Sequence, residues 1–148
     1  MPSSTSIWNI STIGGSQSVD NVPTELGVKI KSSIDGTISG IRFYKTGTEV
    51  LNFTGSLWTV GNEATPITTA NYISDNTPGW KEIIFATPVP ITAGVSYMAS
   101  YFSPNPNYYA YTANGLVVPF TNSTMTAEAS YYKQPGTGYP AIASNANY

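Results

Sequence analysis

The stretch Glu25-Leu26-Gly27-Val28-Lys29-Ile30-Lys31, continued by Ser32-Ser33-Ile34-Asp35-Gly36, decides the fold. Leu26, Val28 and Ile30 fall at every second position, with Glu25, Lys29 and Lys31 between them. A period of two is the repeat of a β-strand, whose successive side chains point to opposite faces. The aliphatic residues are therefore expected to face a core and the charged ones water. Asp35-Gly36 is a turn pair that favours a hairpin. A strand over residues 37–45 follows it. There the apolar parity changes between Ile38 and Ile41, which predicts a bulge at Gly40.

Outward from this pair the pattern repeats. Short runs rich in Ile, Val, Thr and Tyr predict strands over 55–60, 67–73, 80–86 and 95–102, with further ones at 108–112 and 125–132. An edge strand is expected at 7–10. Pro88-Val89-Pro90 can pair only at an edge, because proline has no N–H donor. No segment keeps a helical period. Eight or nine strands in 148 residues predict a single all-β domain over 1–148, a two-sheet antiparallel β-sandwich of jelly-roll or immunoglobulin-like type. Residues 11–21 and 134–148 read as irregular ends.

Composition then removes whole classes of chemistry. The chain has no histidine and no cysteine, which excludes Ser-His-Asp and Cys-His catalysis, ordinary zinc sites and disulfides. Its 6 Lys and Arg are scattered, so no basic stripe tracks a nucleic acid. No run approaches the ~18 apolar residues of a membrane helix, and no membrane insertion is expected. Only 9% of residues are charged, whereas Ser, Thr and Asn number 17, 19 and 12 and Tyr 11. The polar surface is thus built of hydroxyls, amides and phenols.

The order and spacing of several landmarks resemble one bacterial family, domain of unknown function 4082. They are Glu25-Leu26-Gly27-Val28-Lys29, the run from Asp35-Gly36-Thr37 to Phe43-Tyr44-Lys45, Gly55-Ser56-Leu57-Trp58, Gly79-Trp80, Phe85-Ala86-Thr87-Pro88-Val89, Ile91-Thr92-Ala93-Gly94, and Tyr97 with Ala99-Ser100-Tyr101. The resemblance covers most of the chain and leaves 1–22 as a variable first strand. It implies a β-sandwich module of a large bacterial surface or secreted protein, extracellular or on the cell surface, with no catalytic residues to carry over. It also implies a last strand beyond Asn147-Tyr148, either missing from this sequence or supplied by another chain.

The candidate binding residues are amides and tyrosines. Asn105, Asn107, Tyr108, Tyr109 and Tyr111 follow a stiff Pro104/Pro106 loop. Tyr109 and Tyr111 share one face of a strand and Tyr108 takes the other. Tyr131 and Tyr132 form a second patch, and with Tyr139 and Tyr148 could line one groove with the first. Rigid rings beside amides suit a neutral glycan or cell-surface polymer. Trp58 and Trp80 read as core residues rather than sugar platforms, since each sits in a strand beside glycine.

No two of the eight carboxylates share a local motif of the kind glycosidases use, so the chain is read as no enzyme. No cofactor is expected. A structural calcium at Asp20-Asn21 or Asp75-Asn76 is the one alternative, although Asx residues favour turns for local backbone reasons alone. Arg42 is expected to pair with Glu82. The leading function is a non-catalytic, adhesive or glycan-binding module. The rival is a structural spacer or self-assembling subunit completed by a β-strand from another chain. Residues 1–10, with Ile7, Trp8 and Ile10, are the candidate donor.

Overall fold

The structure, a computed structural model, describes residues 4–9 and 15–148. Eleven strands and no helix occur among them: β1 Ser16–Asp20, β2 Thr24–Ser32, β3 Gly36–Lys45, β4 Asn52–Thr59, β5 Thr68–Ile73, β6 Gly79–Ile91, β7 Ser96–Ser103, β8 Asn107–Tyr111, β9 Phe120–Asn122, β10 Met125–Lys133 and β11 Ile142–Ser144. The main layer is a seven-stranded antiparallel sheet in the order β11-β10-β2-β7-β4-β5, with β9 also on β10. Two antiparallel pairs, β3-β6 and β1-β8, complete the all-β sandwich.

Register explains the core. Leu26, Val28 and Ile30 stand opposite Tyr101, Ala99 and Tyr97 of β7, so one face of the main sheet is a continuous apolar surface. Ile41 and Phe43 of β3 and Ile83 and Phe85 of β6 pack onto it. The Phe43 ring lies 4.7 Å from both Phe53 and Tyr101. Each such buried side chain contributes roughly 1.5–3 kcal/mol. The β3-β6 register shifts between Ile38 and Gly40, where the change of parity placed a bulge.

The Asp35-Gly36 turn behaves differently from a hairpin. β2 and β3 do not pair; they lie in opposite layers, and the turn carries the chain across the sandwich. Ser32 Oγ donates to the Ile34 carbonyl, and Asp35 Oδ1 accepts from the Ala93 N–H at 2.8 Å. These bonds fix a corner rather than a two-strand ladder.

Glu25 is the second correction. It is 0% exposed, although alternation puts it on the outer face of β2. The cause is the segment 134–148, which does not behave as a loose tail. It folds over that face, supplies β11 to the edge of β10, and ties Thr112 to Asn147 by two backbone hydrogen bonds of 3.0 Å. Beneath it Trp58 Nε1 donates to Ser100 Oγ (2.9 Å), Ser100 Oγ donates to Glu25 Oε1 (2.6 Å), and Thr137 Oγ1 donates to Glu25 Oε2 (2.9 Å). Burial raises the Glu25 carboxyl above its ordinary range, and these bonds only partly offset it. Tyr139 meets Trp58 edge to face at 5.6 Å. A Cβ on Gly27 would come within 2.6 Å of Pro140, so only glycine lets the segment lie this close.

At the other terminus, residues 4–9 are irregular rather than an edge strand, and Ile10 lies outside the described residues. The first strand is β1, which begins inside the region expected to be an irregular end and pairs with β8.

Candidate functional site

After the bulge, β3 sends Ile41 and Phe43 inward, so Arg42 and Tyr44 face out. On β6, Trp80 and Glu82 share that outer face. The register sets Arg42 opposite Glu82 and Tyr44 opposite Trp80. Cross-strand neighbours of this kind are the unit of contact on a sheet surface. Arg42 and Glu82 form an ion pair. The rings of Tyr44 and Trp80 meet edge to face at 5.6 Å and 89°, and both residues are half-buried.

Three other parts of the chain wall this patch. Tyr111 comes from the end of β8, Tyr148 from the C-terminal segment and Trp8 from residues 4–9; together with Arg42, Tyr44 and Trp80 they line one shallow depression. Tyr148 is positioned by a 2.7 Å hydrogen bond with Ser144 and by an edge-to-face contact with Tyr109 at 5.9 Å. Burial pushes its phenol up from the ordinary tyrosine value. Trp8 stacks on Phe120, with ring centroids 6.2 Å apart and planes 7° from parallel. The depression opens into a cleft of about 840 Å³ that runs between β3 and the main sheet. Ring edges and faces, phenol hydroxyls and one neutralised ion pair can stack on and hydrogen-bond a neutral polyol.

Of the sequence-derived candidates, Tyr111 lies in the depression and Tyr109 stands behind it, half-buried against the core, with ring centroids 6.3 Å apart. Asn105 is exposed on the loop before β8. Asn107 and Tyr108 belong to β8, opposite Asp20 and Val19, and their side chains lie outside the described residues. Tyr132 stands opposite Leu26 and packs against the core; Tyr131 stands opposite Gly27, on the face where Tyr139 lies. The structure thus gathers Tyr109, Tyr111 and Tyr148 and leaves Tyr131 with Tyr139 on another face.

Trp58 is a buried residue, as the packing reading has it, but it is covered by the C-terminal segment rather than by the opposing sheet. Trp80 is only half-buried and belongs to the patch. Nothing in the spacing of Trp8, Tyr44 and Tyr148 along the sequence brings the three together. The parity of Arg42 and Glu82, two positions from Tyr44 and Trp80, was the available signal for the outer-face pair. The Asp75 carboxylate accepts from Lys81 Nζ (2.7 Å) and Thr77, which hold it well below the usual carboxylate range. The Asp20 side chain lies outside the described residues. No group of three metal-ligating side chains occurs among the described residues.

The sequence model of a family described as "Domain of unknown function (DUF4082)" matches residues 11–148. No curated protein matches the chain.

Proposed function

The chain belongs to the DUF4082 family, and from that premise we propose that it is a non-catalytic, extracellular module of a bacterial surface or secreted protein that binds neutral glycans or a cell-surface polymer. The observation that carries this reading is the half-buried Tyr44–Trp80 pair beside Arg42–Glu82, on a depression walled by Tyr111 and Tyr148. Aromatic rings bring apolar contact together with a polar edge or hydroxyl. Sugar rings present an apolar face and a hydroxyl rim, so the two match without net charge. The formal charge of −2 adds no steering field for a charged ligand. Affinity per module is low, and repetition of such modules along a parent protein raises the avidity. No cofactor enters this mechanism.

The test is retention on a panel of immobilised glycans, using the native chain, Trp80→Ala, Tyr44→Ala, and Tyr131→Ala as a control on another face. One lost stacking contact of about 1–2 kcal/mol weakens binding roughly 5–30-fold. Trp80→Ala and Tyr44→Ala are expected to fall by that factor and Tyr131→Ala to bind like the native chain. Absence of any retained glycan, or equal binding by all four proteins, sinks the reading. A second reading, a spacer or self-assembling subunit completed by another chain's strand, draws on β3, whose second edge pairs with no strand among the described residues.

A further inference from the structure

The outer face of β3 and β6 carries cross-strand pairs in a row: Gly40 opposite Ile84, Arg42 opposite Glu82 and Tyr44 opposite Trp80. Neighbouring pairs after the bulge lie two residues apart on each strand, about 7 Å. Gly40 adds no side chain, and Ile84 is 61% exposed. The ion pair is thus set between an aliphatic side chain and two rings that meet edge to face at 5.6 Å. Both its members reach solvent, with the Arg42 side chain 35% and the Glu82 side chain 47% exposed.

The contact between them is one-sided. Arg42 Nε and Nη2 both meet the same carboxylate oxygen, Glu82 Oε1. Glu82 Oε2 and Arg42 Nη1 have no hydrogen-bond partner among the described residues. Oε2 can only accept, and Nη1 can only donate. An oxygen acceptor and an N–H donor therefore stand on one solvent-facing pair, beside a ring surface.

We propose that Arg42 and Glu82 select the ligand by a vicinal diol, a pair of hydroxyls on adjacent ring carbons. One hydroxyl donates to Glu82 Oε2, and its neighbour accepts from Arg42 Nη1. The inference rests on the glycan reading and names the part of the sugar that the site recognises. A lone hydroxyl satisfies only one of the two groups. A ligand carboxylate meets Nη1 but is repelled by Glu82, and a ligand ammonium meets Oε2 but is repelled by Arg42. A diol meets both without charge. On a pyranose it also comes with a face of C–H groups, which suits Tyr44 and Trp80 one step along the sheet. Ring stacking accepts any apolar face of the right size. Hydrogen bonds to charged groups are stronger than neutral ones and depend on direction, so the diol contact discriminates where stacking does not. Arg42 and Glu82 thus determine specificity, and Tyr44 and Trp80 supply affinity.

The test is NMR titration of the full chain with the methyl glycosides of glucose, galactose and mannose, each of which carries vicinal diols. Binding is followed at the Trp80 indole N–H and the Arg42 Nε–H. The glycoside that binds best is then compared with its single-deoxy analogues. Expected is a loss of about tenfold when either hydroxyl of one adjacent pair is removed, and of less than about twofold when any other is. Glu82→Ala should bind the parent glycoside and the sensitive deoxy analogue equally, which a merely structural ion pair would not produce. The deoxy series on the native chain stands by itself should that variant lose its fold. Equal binding of all the deoxy analogues, sensitive hydroxyls that are not adjacent, or discrimination that persists in Glu82→Ala overturns the inference. Where the glycoside still binds and Trp80→Ala weakens it, the glycan reading outlives that failure. If no glycoside moves either signal, the inference falls, and retention on the immobilised panel decides the glycan reading separately. N-methylacetamide moving these signals as strongly as the glycoside overturns the inference in favour of an amide group.

Discussion

Replacing Glu25 with alanine tests whether the buried polar chain under residues 134–148 holds that segment in place. In the native protein Ser100 Oγ accepts from Trp58 and donates to Glu25, and it is buried. Without the carboxylate the Ser100 hydrogen has lost its acceptor, and one orphaned buried donor costs about 1–3 kcal/mol. Thr137 is exposed and can turn to water, so it adds little. Relief of a desolvated charge opposes the loss. The expected net loss is about 1–2 kcal/mol, the lower part of that range. Glu25→Gln keeps an oxygen for Ser100 without the charge and is expected within about 1 kcal/mol of native at pH 7.

The two variants separate further with pH. Burial sets the folded-state pKa of Glu25 above its ordinary 4.5, so the native state binds this proton more tightly than the unfolded chain. Stability from this group therefore rises as pH falls from neutral through the raised value, and the gain is complete near 4.5. Glu25→Gln has no such dependence. Urea unfolding at pH 7 and pH 5, followed by tryptophan fluorescence, should show the native chain gaining on Glu25→Gln at the lower pH. An alanine variant within about 0.5 kcal/mol of native, or parallel pH curves for native and glutamine proteins, refutes the reasoning.

Two other outcomes follow from the same geometry. Gly27→Ala would place a Cβ 2.6 Å from Pro140 and 3.0 Å from Met98 Sδ, so the C-terminal segment must shift. A loss of about 1–3 kcal/mol in thermal unfolding is expected, with new protease cuts between 134 and 148; a native melting curve would remove the close-approach argument. Asp75 acts on the acid side with the opposite sign to Glu25. Hydrogen bonds from Lys81 and Thr77 depress its carboxyl, so its contribution is present above its ordinary 3.8 and lost as pH falls below that value. Asp75→Asn should therefore flatten the fall in Tm between pH 5 and 3, and an unchanged slope would count against the Lys81 contact.

How far the sequence can be read depends on whether a signal is local. The alternation of Leu26, Val28 and Ile30 describes one strand's own faces, and it located the core correctly. The bulge before Ile41 is also local, because it needs only the parity of β3. Asp35-Gly36 shows the limit: a turn pair states that the chain reverses, but whether the partners bond side by side or lie in opposite layers depends on what else packs between them. Glu25 shows a second limit. Alternation names the face a residue takes; it does not name what covers that face. Here the cover is a segment more than a hundred residues away, poor in periodic pattern because its shape is set by contacts with Trp58, Gly27 and Glu25.

The candidate site fails to be legible for a related reason. Tyrosine-rich runs are visible in one dimension, yet adjacent tyrosines on a strand must diverge, and Tyr131 and Tyr132 do so across the main sheet. A surface on a sheet is assembled from alternate residues of neighbouring strands, so its members appear in the sequence as isolated letters: Tyr44 with Arg42, Trp80 with Glu82. The informative pattern is therefore a pair of i, i+2 couples on two strands in register, one charged and one aromatic in each. The Arg42–Glu82 ion pair gave half of that pattern from the sequence. Where Arg42 stands opposite Glu82, the strand repeat sets Tyr44 opposite Trp80, two positions along each strand. A one-residue slip of β3 against β6 would turn both Arg42 and Tyr44 toward the core, so the bulge at Gly40 that sets this parity also determines whether the aromatic surface exists.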